Sequence, residues 1–327
     1  MKKLVSLLLC AVLCLSLLSA AAVAESTPSV AIVVAGGLGD RSFYDSANEG
    51  LETLASKYGT VTKVIECKED GSLYLTGLAE AAESCDVVFA VGWQFEQALP
   101  EAADGYPEKK FVWIDNALVE GKDNVMSVVY AQNQGSFLVG YIAAKLSKTG
   151  VVGAVGGQDS GTINDFLVGY EAGAKYANPD VKVDTRYGNG FEDPASGKEC
   201  ALALYGAGCD VVFAVAGKTG EGVFEAAKET GNYAIGVDSD QKYINPDVII
   251  CSMVKNVGKS VMDIVEHMDE RYQPATVWKA DMATGYIDVG YGDDTMTQQV
   301  SDELKAEVEE LKAKIISGEI VVPTALN

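Results

Sequence analysis

Short apolar runs rich in β-branched residues recur along the chain, each bounded by glycine or polar residues. They fall at Val30–Val34, Val87–Val91, 111–114, Val125–Tyr130, 151–155, Val211–Val215, 233–237 and 248–254. Runs of this length and composition read as strands buried on both faces, as in a parallel sheet. Segments of helical length and apolar spacing lie between them, for example 42–58 and 166–176. Strand and helix in alternation predict an α/β fold, with parallel sheets covered by helices on both faces. Near the end, 301–316 reads as a charged helix with Leu304, Val308, Leu311 and Ile315 on one face. A stripe that short predicts packing on its own lobe rather than a coiled-coil seam.

The pattern is written twice. Cys85-Asp86-Val87-Val88-Phe89-Ala90-Val91-Gly92 returns 124 positions later as Cys209-Asp210-Val211-Val212-Phe213-Ala214-Val215-Ala216-Gly217. Gly50-Leu51 answers Gly169-Tyr170, Asp115 answers Asp238, and Gln132-Asn133-Gln134-Gly135 answers Lys255-Asn256-Val257-Gly258. Matches in a conserved order imply two copies of one architecture. The expectation is two Rossmann-like lobes joined by crossover strands, with a ligand cleft where the carboxyl ends of both sheets meet. The crossovers are placed at 125–130, 248–254 and near 286–289. The helix after each crossing is expected to pack on the opposite lobe. Residues 25–126 plus 255–284 then form an N-terminal lobe, and 127–254 plus 285–327 a C-terminal lobe.

The first residues stand apart from this pattern. Met1-Lys2-Lys3, an apolar run over 4–18 and the small-residue ending Ala22-Val23-Ala24 read as a signal peptide cleaved near Ala24. Leu9 and Leu13 precede Cys10 and Cys14, where lipid modification needs a small residue, so no lipoprotein is expected. The mature chain is read as secreted or periplasmic. It keeps Cys67, Cys85, Cys200, Cys209 and Cys251. Five widely spaced cysteines make neither a disulfide framework nor a zinc pattern.

Charge and composition narrow the function. The 327 residues carry 25 Lys+Arg against 47 Asp+Glu, a formal net charge of −22, and the loss of Lys2 and Lys3 takes it to −24. So acidic a chain is a poor partner for nucleic acid, whose phosphates require a basic face. His267 is the single histidine, which speaks against a His-based triad or a multi-histidine metal site. Gly217-Lys218-Thr219 ends like a phosphate loop, but Val212 stands where the motif needs its first glycine. Gly36-Gly37-Leu38-Gly39 lacks dinucleotide spacing and reads as a turn bringing backbone amides to the cleft. No catalytic set, metal site or cofactor is predicted.

Asp40-Arg41-Ser42-Phe43 with Gly50-Leu51 resembles the opening motif of the basic membrane protein family, the PnrA-like nucleoside-binding proteins of bacterial ABC transporters. The resemblance continues through Val91-Gly92-Trp93, residues 111–115 and Gly135-Ser136-Phe137-Leu138-Val139-Gly140-Tyr141. It then takes in Ala177-Asn178-Pro179, Ala216-Gly217-Lys218-Thr219-Gly220, residues 235–241, Ser252-Met253-Val254-Lys255 and the ending at 316–323. It implies the type 1 periplasmic binding protein fold and a non-enzymatic, monomeric protein delivering a nucleoside, purine favoured, to a membrane permease. In the family an aromatic side chain from each lobe clamps the base. Phe43 matches the first and Phe191 is assigned as the second. Asp115 and Asp238 are expected to accept hydrogen bonds from the ligand. Lys255 is expected to donate to ribose oxygens and to neutralise Asp238. Trp93, Tyr44, Gly217 and Lys218 complete the expected site.

The chain departs from the family pattern at three places. Ala35 stands where an aspartate commonly closes the first strand, Tyr44 where an asparagine follows the stacking phenylalanine, and Lys218 where glycine is usual. These changes are expected to alter recognition of the base edge. Alternative readings are a binder of a flavin or modified nucleoside, a secreted nucleoside hydrolase using Asp115 or Asp238, and a sensor ectodomain.

Overall fold

The computed structural model describes residues 27–117 and 122–326. The expected signal peptide and its cleavage point lie outside the described residues. Five parallel strands build the first sheet: β1 (Val30–Val34), β2 (Thr62–Glu66), β3 (Val87–Val91), β4 (Lys110–Ile114) and β5 (Val125–Tyr130). Their order is β2-β1-β3-β4-β5, and β11 (Val277–Ala280) adds in parallel beside β5. The second sheet repeats this order with β6 (Val151–Gly156), β7 (Lys182–Tyr187), β8 (Val211–Val215), β9 (Tyr233–Asp238) and β10 (Ile249–Lys255). Here the sixth strand, β12 (Ile287–Gly290), runs antiparallel to β10. The central strands β1, β3 and β8 are buried at every position, which is why they read as unbroken apolar runs. β2 and β7 lie at sheet edges and carry the charged residues Lys63, Glu66, Lys182, Asp184 and Arg186.

The connecting helices are α1 (Phe43–Tyr58), α2 (Tyr74–Ser84) and α3 (Ala98–Gly105) in the first lobe. In the second they are α5 (Gly161–Ala177), α6 (Pro194–Gly206) and α7 (Gly220–Thr230). The helices after the crossings exchange sides. α4 (Gln132–Leu146) follows β5 but packs on α5, and α8 (Val257–Glu266) follows β10 but packs on α1. These contacts are backbone to backbone. A Cβ on Gly173 would lie 1.8 Å from the Phe137 carbonyl oxygen, one on Gly140 2.1 Å from that of Tyr170, and one on Gly50 2.4 Å from that of Gly258.

β5 belongs whole to the first sheet, so the chain crosses after Tyr130 and the expected 126/127 division falls inside that strand. Lys255 closes β10 and so belongs to the second sheet. The return crossing lies between β11 and β12. A short α9 (Met268–Arg271) precedes β11, and α10 (Asp302–Ile316) closes the fold. Ser301 caps α10, accepting the Leu304 amide at 3.2 Å. Leu304, Val308, Leu311 and Ile315 are its buried face, set against α4. All five described cysteines are free thiols, and all but Cys200 are buried. No helix of the described residues is long and apolar enough to cross a membrane.

Candidate functional site

The carboxyl ends of both sheets face one cavity lined by side chains of both lobes. From the first lobe come Asp40, Phe43 and Tyr44 at the start of α1, Trp93 and Gln94 after β3, and Asp115 after β4. From the second come Thr162 and Phe166 in α5, Phe191 after β7, Gly217 after β8, and Asp238 and Lys255 at the ends of β9 and β10. Eight of the nine residues expected from the sequence therefore line one space.

The site inherits the duplication. Asp115 (φ 76°) and Asp238 (φ 63°) end corresponding strands, and both sit in the left-handed region. That conformation is costly for a residue with a Cβ and is typical of functional positions. Trp93 and Gly217, 124 positions apart, also correspond, as do Phe43 and Thr162 in the register that pairs Gly50 with Gly169. Thr162 was thus legible through the repeat. Phe166, Asp40 and Gln94 were missed. Asp40 belongs to the motif that carried the family resemblance, but its side chain faces the helix terminus of its own loop, which spacing does not reveal.

Lys255 lies at the centre of the polar part. Its side chain is 1% exposed and its Nζ stands 2.6 Å from Asp115 Oδ1. The ammonium also lies 4.9 Å from the ring centres of Phe43 and Tyr130 and 5.2 Å from that of Phe166. Rings on several sides provide favourable quadrupole contacts for a desolvated cation. Lys255 was expected to neutralise Asp238, and its charge does act on that carboxyl, while the ion pair itself is made with Asp115. Asp238 instead accepts the hydroxyl of Ser42, from the opposite lobe, at 2.6 Å. Burial raises its carboxyl from the ordinary 3.8 to about 6, with the Lys255 charge acting in the other direction. Asp40 accepts the backbone amides of Ser42, Tyr44 and Asp45, each at 3.0 Å. Burial nonetheless pushes its carboxyl to about 7, those three bonds opposing the shift.

The aromatic part is set by close backbone. Phe191 lies close against Gly157, where a Cβ would come within 2.2 Å of its ring. Tyr44 is buried and meets the Phe43 ring edge-on at 5.3 Å between centres. It lies so close to Gly36 that a Cβ there would come within 2.5 Å of its ring. Ala35 is wholly buried beneath these groups and does not line the cavity. Lys218 is the expected residue that the fold directs elsewhere. It is absent from the lining and its Nζ faces Glu192 Oε2 at 3.9 Å.

His267 is exposed and does not line the cavity, and its Nδ1 lies 3.2 Å from the Asp263 carbonyl oxygen. Among the described residues Asp263, Glu266 and His267 form a group whose ligand atoms could meet around an ion. Its acids are already engaged: Glu266 by Lys57 and Tyr58, Asp263 by Lys259 and Tyr286.

Residues 27–325 match the family described as ABC transporter substrate-binding protein PnrA-like. Basic membrane protein A of Borreliella burgdorferi is 32% identical over 332 residues, spanning 99% of this chain and 96% of that protein. The ABC transporter nucleoside-binding protein BmpA of Lactococcus lactis subsp. cremoris is 34% identical, spanning 89% and 87%. The solved structure of an ABC transporter solute-binding protein from Aeropyrum pernix K1 superposes with a TM-score of 0.80 at 29% identity, covering 90% of this chain and 93% of that one. The chain belongs to the PnrA-like family of ABC transporter substrate-binding proteins and has the type 1 periplasmic binding protein fold.

Proposed function

We propose that this protein is an extracytoplasmic carrier that captures a nucleoside, purine favoured, between its two lobes and presents it to an ABC permease. The observation that carries the reading is that Phe43 and Phe191, from opposite lobes, line one cavity together with the Asp115–Lys255 pair. Aromatic faces grip a nucleobase with roughly 1–3 kcal/mol per base and tolerate different bases. Asp115, Asp238 and Lys255 supply two acceptors and a donor for ribose hydroxyls. The Lactococcus relative is named a nucleoside-binding protein, in keeping with this assignment. The lobes act as two domains hinged at the crossings, and one monomer holds the complete site. Asp115 is engaged by Lys255 and Asp238 by Ser42, and in this reading both carboxylates serve binding.

Tyr44 favours a second reading within the same class. A phenol in the lining, where the family commonly has asparagine, changes the base end of the cavity and suits a modified nucleoside or a flavin. Mass spectrometry of small molecules released from the purified, denatured protein decides between them, followed by calorimetry with each candidate. A purine nucleoside is expected, and prolonged incubation should liberate no free base. Recovery of a plain sugar or amino acid, with no uptake of nucleosides, would refute the proposal.

A further inference from the structure

Outside the cavity lining, two carboxylates cross the mouth of the cleft in opposite directions. Glu69 Oε1, from the first lobe, accepts the backbone amide of Phe191 at 3.1 Å. Glu192 Oε1, from the second, accepts the backbone amide of Gly37 at 3.0 Å. The two glutamates are 123 positions apart, the same separation as Asp115 and Asp238, and each follows the second strand of its lobe. From this geometry we infer that Glu69 and Glu192 form a reciprocal clasp that positions Phe191 and the β1–α1 loop over the bound ligand and sets its rate of release.

The contacts are built rather than incidental. Lys68 (φ 51°) and Glu69 (φ 60°) are consecutive non-glycine residues in the left-handed region. Their amides are held by the carbonyls of Gly36 at 2.8 Å and Ala35 at 2.7 Å. Glu69 is therefore fastened to the loop whose Gly37 receives Glu192, so both halves of the clasp act on one unit. On the other side Phe191 is fixed by its carbonyl, which accepts the Thr219 amide at 3.0 Å. Its amide is the part that the opposite lobe holds. Glycines give the carboxylates their path: a Cβ on Gly36 would lie 2.8 Å from Glu192 Oε1. Lys218, which the sequence placed in the ligand site, sits 3.9 Å from Glu192 Oε2 and offsets the second like charge at the rim.

The inference rests on the nucleoside reading for its ligand but not for its mechanics. The test therefore measures guanosine and inosine release by stopped flow, and lobe closure by small-angle scattering with and without nucleoside. A hydrogen bond to a charged group is stronger than one between neutral partners, and affinity changes in one site fall mainly on dissociation. Glu69→Ala is expected to speed release about tenfold with association unchanged, and Glu69→Gln, which keeps an acceptor oxygen, to restore most of the loss. Glu69→Ala/Glu192→Ala is expected to scatter as a more open particle than wild type. If wild type binds neither nucleoside, the ligand assignment fails while scattering still reads the clasp. The clasp is overturned if the double variant is as closed as wild type with and without nucleoside, or if Glu69→Ala slows association instead of speeding release.

Discussion

Lys255 Nζ and Asp115 Oδ1 lie 2.6 Å apart although 140 residues separate them along the chain, one ending a strand of the second sheet and the other following a strand of the first. The pair thus joins the lobes at the floor of the cavity, and both side chains are almost wholly out of solvent. Such a pair adds little net stability over apolar packing, but removing one partner strands the other charge.

Lys255→Met is therefore expected to destabilise the fold by about 3–5 kcal/mol, measured by urea unfolding, because Asp115 and Asp238 lose their shared cation. Lys255→Met combined with Asp115→Asn should recover much of that loss. Equal stability of the single and double variants would show that the pair is not coupled.

Phe43→Ala should weaken nucleoside binding by at least an order of magnitude, in line with roughly 1–3 kcal/mol per stacked base. Tyr243→Ala, on an exposed ring outside the lining, should leave affinity unchanged. Calorimetry on the two variants checks both, and an unaltered Phe43→Ala affinity would remove stacking from the account.

The buried acids give stability a definite pH dependence. Burial raises Asp238 to about 6 and Asp40 to about 7 in the folded chain, above the ordinary 3.8. A raised acid binds its proton more tightly when folded, so its contribution is fully present below about pH 3.8. That contribution is lost as pH rises through about 6 for Asp238 and about 7 for Asp40. Through these groups, stability should fall between about pH 4 and about pH 7 and level off above, and Asp238→Asn should flatten the lower part of the profile. A series of urea titrations across that range tests it, and parallel curves for wild type and variant would count against it.

Gly173→Ala should cost about 1–3 kcal/mol or more, the range for overpacking a tight contact. Its new Cβ would meet the Phe137 carbonyl oxygen at 1.8 Å, and backbone cannot rotate away as a side chain can. Gly206→Ala, whose Cβ meets nothing within 4 Å, is the control. Thermal unfolding of the two variants should differ clearly.

Phe43 and Phe191 were placed by the family resemblance, whereas the duplication, the strand and helix alternation and the paired acids at the strand ends were legible in the chain itself. Each depends on local pattern: β-branched runs specify buried strands, and a repeated pattern repeats its strand ends, so Asp115 and Asp238 were marked together. What the linear pattern lacks is side-chain direction across a gap. Lys255 was expected to neutralise Asp238, and its charge does reach that carboxyl, but its ion pair is with Asp115 and the hydrogen bond to Asp238 comes from Ser42. Lys218 adjoins cavity residues in sequence but turns to Glu192. Phe166 and the Glu69–Glu192 crossing became visible only when the lobes were brought face to face. Local hydrophobic periodicity determines which residues form strands and helices, and so which loops gather at the sheet ends. Which charge meets which, and what closes over the cavity, is decided by packing between segments more than a hundred residues apart, where only the tertiary structure sets distance.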